Sequence, residues 1–392
     1  MVENSYSYSI PYVLIFLFIF ILSVIDIRNV NRGKVDWKIR WICFLTLLIF
    51  FGFRGFVATD WLSYYHVFEN IPTLWDLSGF SFEDYIIEPG FIAYSIFVKS
   101  LYPNFHFYVF VNALIDFLIL HYLFKNYLRY YALAFLFFLL FLEGVEFNLY
   151  RNAKCIFLFM FSIKYAINKN FFPYLILNVI GSLFHVSGLL YILIYPIINK
   201  KINKYILITF FVVGNYIFFF NVEWLSKFIG NFYESFLIIS ERGADAIELY
   251  ADRSVYSMFT IGYLERVLTY ILIIVIYEKA FQNDKYIAIC LNLYVFYFLM
   301  YYYLWEAKIL SERFSSLFVS SYIFIYPYVL SQLRIYNNKI IYIFLVLFYG
   351  AMKQLNGHNS FIDKYDNVLF RAESYQQRLY NMQRYYEASN QK

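Results

Sequence analysis

Trp41-Ile-Cys-Phe-Leu-Thr-Leu-Leu-Ile-Phe-Phe-Gly-Phe53 runs directly into Arg54-Gly-Phe-Val-Ala-Thr-Asp-Trp-Leu-Ser-Tyr-Tyr65. The first stretch has no charged side chain and reads as a membrane span. The second sets a guanidinium at the end of that span. It opens a loop that carries Asp60, Glu69, Asp76, Glu83, Asp84 and Glu88, with no Lys or Arg after Arg54. A cation and several carboxylates gathered at one membrane face suit a reaction site better than a pore.

The rest of the chain agrees with a membrane protein. It has 392 residues, 62% hydrophobic and 15% charged, where a soluble domain has roughly 25% charged residues. Apolar runs recur from Ile10 to Gly350. The fold class expected is all-α: a polytopic integral membrane protein with no soluble domain large enough to hold its own core. The net charge of +5 is small, and no basic stripe of the kind nucleic acid requires is present. Cys43, Cys155 and Cys290 lie far apart in apolar runs and form no CxxC pair or disulfide framework. No set of side chains has metal-ligand spacing, so neither a metal nor a cofactor is expected.

Basic residues near span ends mark the cytoplasmic side. Arg28, Arg32, Lys34, Lys38 and Arg40 place segment 26–40 inside. Arg54 and the acidic loop then emerge outside. The apolar segments 89–101 and 105–124 cannot both cross without inverting every later basic loop. The shorter, 89–101, falls well below the ~20 residues that span comfortably, and reads as re-entrant or interfacial. Further spans follow at roughly 131–143, 153–167, 171–183, 186–198, 205–220, 263–277, 286–303, 314–330 and 339–351. With 10–25, 41–53 and 105–124 this gives about 12 transmembrane helices plus the one re-entrant segment. The transmembrane region is 1–352, with outer loops at 54–104 and 221–262. A polar, Tyr-rich tail fills 353–392, with helical character over 371–388.

This topology, set from the inner loops, brings the unusual polar residues to the outer face. Arg54 ends the second span and Glu88 precedes the dipping segment. Glu146 and Arg151 fall in the turn before the span at 153, and Lys154 shares the helical face of Arg151. His185 sits at the tip of the 171–198 hairpin. Glu306, Glu312 and Arg313 precede the span at 314. Arginine binds phosphate oxygens bidentately and stays charged at any working pH. A nearby carboxylate or His185 can accept a proton from an attacking hydroxyl. Each residue also has a plainer reading: Arg54, Arg151 and Arg313 as interfacial anchors that snorkel, Asp60 as a helix N-cap, His185 as a satisfied hairpin-tip histidine. Asp116 differs, because it falls within a span, where an unpaired carboxylate costs roughly 2.5–3.5 kcal/mol. It is protonated, paired inside the bundle, or part of a conduction path.

Arg54-x5-Asp60-Trp61-x2-Tyr64 resembles the Arg-x-x-x-Gly-Thr-Asp-x-x-x-Tyr signature of the EpsG-like, Wzy-type polysaccharide polymerases. Glu88-Pro-Gly-Phe91 is similar to that family's Glu-x-Gly-aromatic element. Tyr150-Arg151-Asn-Ala153, Phe184-His185-Val-Ser187 and Arg313-Phe314 follow in family order. Ala58 stands where the family has glycine, and Asn152 where Gln is usual. The resemblance implies a bacterial plasma-membrane enzyme with its active face outside. Its substrate would be an undecaprenyl-pyrophosphate-linked oligosaccharide, joined into O-antigen, capsule or exopolysaccharide. Asp60, Glu88 and His185 would be catalytic candidates. Arg54, Tyr64, Arg151 and Arg313 would bind substrate. The bilayer is an obligate partner and a chain-length regulator a candidate one. The competing readings are a polyprenyl-phosphate-sugar glycosyltransferase and a lipid-linked oligosaccharide flippase or other transporter, whose site would lie near the midplane.

Overall fold

The computed structural model describes residues 4–225, 227 and 260–390. Among the described residues there are seventeen α-helices and no strand beyond isolated bridges. The chain is thus an all-helical membrane protein. Tyr6–Asn31, Phe105–Tyr127, Lys285–Tyr303 and Tyr336–Gly357 are long and apolar enough to cross a membrane. The pair Lys308–Ser316 and Val319–Gln332, bent by 43°, makes a fifth span if taken as one. Several other segments expected to span form shorter apolar helices, among them Tyr131–Phe141, Phe171–Phe184, Gly188–Ile198 and Lys204–Phe219. An 11-residue helix rises only about 17 Å, against a hydrocarbon core of about 30 Å. Sequence hydropathy counts such a run as a span; its length alone does not make it one.

The chain forms two compact units, Met1–Leu193 with Tyr326–Lys392, and Ile194–Ile325. In the first, α1 (Ile10–Asn31), α2 (Trp37–Gly52), α5 (Phe105–Tyr127), α6 (Tyr131–Phe141), α8 (Tyr150–Ile167) and α9 (Phe171–Phe184) run between two polar ends. At one end Arg40 Nε lies 3.7 Å from Asp26, whose other oxygen accepts from Ala132 N (3.2 Å). Arg129 donates to Asn31 (3.2 Å), and Lys125 lies 5.0 Å over the Trp37 ring. This basic end ties together the C-termini of α1 and α5 and the N-termini of α2 and α6. The opposite end holds Arg54.

The short helices α3 (Trp61–Asn70) and α4 (Pro89–Leu101) belong to the Arg54 end. Glu88, before α4, touches Arg151 at the head of α8. Lys99, near the other end of α4, donates to the carbonyls of Phe68 (2.8 Å), Glu69 (2.8 Å) and Ile71 (2.7 Å) that finish α3. An ammonium there answers the partial negative charge of a helix C-terminus. Phe105, which opens α5, packs 5.9 Å from Phe56 in the same loop. The segment therefore starts and finishes on one side of the unit.

α16 (Tyr336–Gly357) extends beyond the expected 339–351, and the chain after it folds back over the Arg54 end. Gly55 N donates to Asp366 O (2.9 Å), Ala58 N to Ile362 O (3.0 Å) and Val368 N to Phe53 O (2.8 Å). Arg378, on the last helix α17 (Tyr375–Asn390), is fully buried. It donates to Phe361 O (3.3 Å), Ile362 O (3.0 Å) and Lys364 O (3.1 Å), and faces Glu373 at 3.5 Å. One guanidinium thus supplies the donors that an irregular stretch of backbone needs when water is excluded.

The second unit is built on α11 (Lys204–Phe219), α12 (Ile261–Asn283), α13 (Lys285–Tyr303) and α14 (Lys308–Ser316). Asn292 fastens its interior, donating to Ile198 O (2.8 Å) and Lys200 O (2.9 Å) while accepting from Tyr277 (2.6 Å). Of the expected outer loop 221–262, Glu234, Glu241, Arg242, Asp245, Glu248, Asp252 and Arg253 lie outside the described residues.

His358 closes the fold of the first unit. Its ring stacks on Tyr12 (3.8 Å between centroids, 8° between planes), with Nε2 2.9 Å from Glu143 and Nδ1 3.8 Å from Asp363. Burial lowers its pKa, but the two carboxylates outweigh burial and push it up to about 9. A folded-state pKa above the unfolded value means the contribution is complete below about pH 6.5 and lost as pH rises through 9. The protein in detergent should accordingly lose on the order of 3 kcal/mol between pH 6 and 10, read as a falling Tm. His358→Gln should flatten that slope; an identical slope in the variant would refute the assignment.

Candidate functional site

The site begins where α2 ends. Arg54, 1% exposed, turns inward. Its Nη1 donates to Phe51 O (2.5 Å) and lies 3.6 Å from Glu146 Oε1, and its Nη2 donates to Glu146 O (2.8 Å). The guanidinium also lies 5.4 Å from the Phe147 ring and 5.2 Å from the Tyr150 ring. Beneath it Lys154 pairs with Asp116 and donates to Asn112 O (3.0 Å). Asp116 is thereby paired inside the bundle. Asp116 and Glu146 are neighbours, so two cations and two carboxyl groups form one buried polar group. Buried ion pairs persist when geometry and charge balance offset their desolvation.

Tyr150 links this group to a second layer. Tyr64 stacks on it at 4.6 Å and 11°, and the Tyr64 hydroxyl meets Arg151. Burial pushes the Tyr64 phenol up to about 12 despite Arg151, so it remains a neutral hydroxyl. Arg151 pairs with Glu88, whose other oxygen accepts from Val186 N (3.1 Å). The Arg151 side chain is 27% exposed, which makes it the reachable guanidinium of the two. Next to Val186, His185 Nδ1 accepts from Ser187 N (3.2 Å) and lies 2.7 Å from Ser187 Oγ. With Nδ1 an acceptor, a neutral His185 carries its proton on Nε2.

Asp60 occupies the N-cap position of α3, but its carboxylate makes no capping bond. It lies close to Tyr64 and Tyr150. Its Oδ1 lies 3.3 Å from Thr59 Oγ1, and Asn148 Oδ1 accepts from Thr59 N (3.0 Å), Thr59 Oγ1 (3.3 Å) and Asp60 N (3.3 Å). The first unit therefore brings together Arg54, Asp60, Tyr64, Glu88, Arg151 and His185. Arg313 belongs to α14 of the second unit, where it is exposed. Asn148 and the tail carbonyls are missed from sequence. The only signal for Asn148 is its place three residues before Arg151.

Two backbone positions shape the site. Ala58 has φ 66°, in the left-handed region, and its carbonyl accepts from Trp61 Nε1 (2.9 Å). A Cβ on Gly90 would lie 2.5 Å from Leu183 Cβ and 2.7 Å from the Leu183 carbonyl oxygen. That contact is what lets α4 bring Glu88 to the end of α9.

A polytopic, all-helical membrane protein with a buried ionic group beneath a partly open arginine–carboxylate–tyrosine cluster is the class that fold and site define. The EpsG family model matches residues 37–366, most of the chain, and the chain belongs to the EpsG family. Neither a curated protein nor a solved structure matches it. The family is associated with Wzy-type polymerases, so membrane-bound polysaccharide biosynthesis is the setting of the protein.

Ala58→Gly should fold at least as stably as the native protein, because it relieves roughly 1 kcal/mol of left-handed strain. Ala58→Val should lower Tm by several degrees, and equal melting of all three would remove the strain argument. Gly90→Ala should cost about 1–3 kcal/mol by overpacking and diminish polymer made per molecule of protein. Native polymer yield from this variant would show that α4 and α9 need not touch.

Proposed function

We propose that this protein polymerises undecaprenyl-pyrophosphate-linked oligosaccharide repeat units on the outer face of the bacterial plasma membrane. The observation that carries the reading is the Glu88–Arg151–Tyr64 cluster beside Asp60, at the end of the first unit away from Arg40, Lys125 and Arg129. By the positive-inside rule the basic end is cytoplasmic, so the cluster faces outward. The topology of about twelve spans belongs to this reading.

In the reaction, a hydroxyl oxygen of one lipid-linked unit bonds to the anomeric carbon of the growing chain. The bond from that carbon to the pyrophosphate oxygen breaks, and undecaprenyl pyrophosphate leaves with the electron pair. The hydroxyl proton goes to a carboxylate. In this reading Asp60, close to Tyr64 and Tyr150, is the base, and Glu88, paired with Arg151, holds that arginine. Arg151 meets the charge that develops on the leaving pyrophosphate, an electrostatic role worth several kcal/mol. Tyr64 and His185, through O–H and Nε2–H, orient phosphate or sugar oxygens. Arg54, being enclosed, acts through Tyr150 and Glu146 as a positioning residue. Arg313, exposed on α14, binds substrate phosphate in this reading. The pairing of Asp116 with Lys154 supports a structural role for that carboxylate over the conduction path a transporter would need.

The test is a gel ladder of surface polysaccharide from a deletion strain complemented with native protein, Arg151→Ala or Arg151→Lys. Native protein should restore the ladder. Arg151→Ala should leave single repeat units on the acceptor with protein still in the membrane, and Arg151→Lys should cut long chains at least tenfold. A normal ladder from Arg151→Ala would sink the reading, and no sugar on the acceptor in the deletion strain would favour a flippase.

A further inference from the structure

Arg266 lies in the second turn of α12, within the second unit. The buried cations of the described residues have carboxylates: Arg40 has Asp26, Arg54 has Glu146, Lys154 has Asp116 and Arg378 has Glu373. Arg266 is surrounded by tyrosines instead. Its guanidinium carbon lies 3.8 Å from the centroid of the Tyr301 ring, and Tyr297, Tyr302 and Tyr322 complete the surround. Arg266 Nε is buried without an acceptor, and the Tyr302 hydroxyl adjoins the guanidinium. The adjacent carboxylate, Glu265, is occupied elsewhere, accepting from Tyr322 (3.2 Å) and Thr269 Oγ1 (3.0 Å). A Cβ at Gly262, one turn earlier, would lie 3.4 Å from Arg266 Nη1 and 3.5 Å from Nη2. Glycine leaves room beside that side of the fork.

A partly buried guanidinium with no carboxylate paired to it among the described residues is destabilising unless something anionic completes it. Stacking on a tyrosine face holds the fork in one plane and offsets part of that cost. We propose that Arg266, with Tyr301 and the Tyr302 hydroxyl, is an anion site for a phosphate or pyrophosphate group. Planar N–H donors from the guanidinium and an O–H donor beside it suit a phosphate, which offers acceptor oxygens in several directions. The position near the start of α12 suits a lipid headgroup. A polymerase that joins two lipid-linked units holds two such headgroups at once; the identity of the anion as a second headgroup rests on the function proposed above, whereas anion binding itself does not.

The experiment uses the full chain in detergent with chelator, titrated with inorganic pyrophosphate and with farnesyl pyrophosphate, and read as the rise in Tm. It is run in the Arg151→Ala background, which removes the cluster of the first unit. Binding should persist in Arg151→Ala, weaken at least tenfold when Arg266→Gln is added, and weaken severalfold with Tyr301→Leu, which keeps the charge. Without ligand, Arg266→Met should melt no lower than native protein. Equal response to both probes would identify a free anion, and response to the farnesyl compound alone a lipid headgroup; either supports the site. Loss of all binding in Arg151→Ala alone would overturn the second site and leave the first reading standing. Unchanged binding after Arg266→Gln, or a large fall in Tm for Arg266→Met with the Tyr301→Leu response intact, would make Arg266 a structural residue and overturn the proposal.

Discussion

The buried contact between Arg54 and Glu146 is the constraint on which the first unit depends. A guanidinium carried to the end of an apolar helix has two outcomes: it snorkels to water, or it is neutralised within the protein. Here it is neutralised. That choice draws α7 (Glu143–Asn148) over the end of α2. It stations Tyr150 beside the guanidinium and therefore orients the start of α8. Arg151 follows in sequence and points the other way, toward Glu88 and Tyr64. One arginine is used up by the fold so that the next can stay partly open.

The loop after Arg54 would have no regular structure by itself. It is held from below by Asn148 and from the side by the tail, whose carbonyls at Ile362 and Asp366 take the N–H groups of Ala58 and Gly55. The tail is in turn organised by Arg378 and closed by Tyr375, which stacks on Tyr65 at 4.0 Å and bonds with His66 (2.9 Å). Residues separated by some 300 positions thus share one small polar layer at a helix-bundle end. Such a layer withstands desolvation because nearly every backbone donor in it has an acceptor.

The Arg266 cluster is built on a different principle. Its arginine is flanked by aromatic faces and hydroxyls, and among the described residues no carboxylate pairs with it. Where Arg54 lies against a carboxylate and backbone carbonyls, Arg266 lies against a tyrosine face, an arrangement that suits an anionic ligand.

The sequence by itself determined the class: recurrent apolar runs, few charges and basic residues at alternate span ends lead to an all-helical membrane protein. The ordered elements around Arg54, Glu88, Arg151 and His185 led to the EpsG family. Hydropathy is additive along the chain, so these features are readable locally. Only the tertiary structure decided which of those polar groups are spent and which remain reachable. Arg54 and Arg151 look alike in sequence, but burial, set by helices far apart in the chain, makes one a brace and leaves the other open. Asn148 and Arg378 carry no local signal at all, because their importance lies in backbone groups of other segments. Charge pairing and desolvation depend on distances in space, and those exist only once the helices have packed.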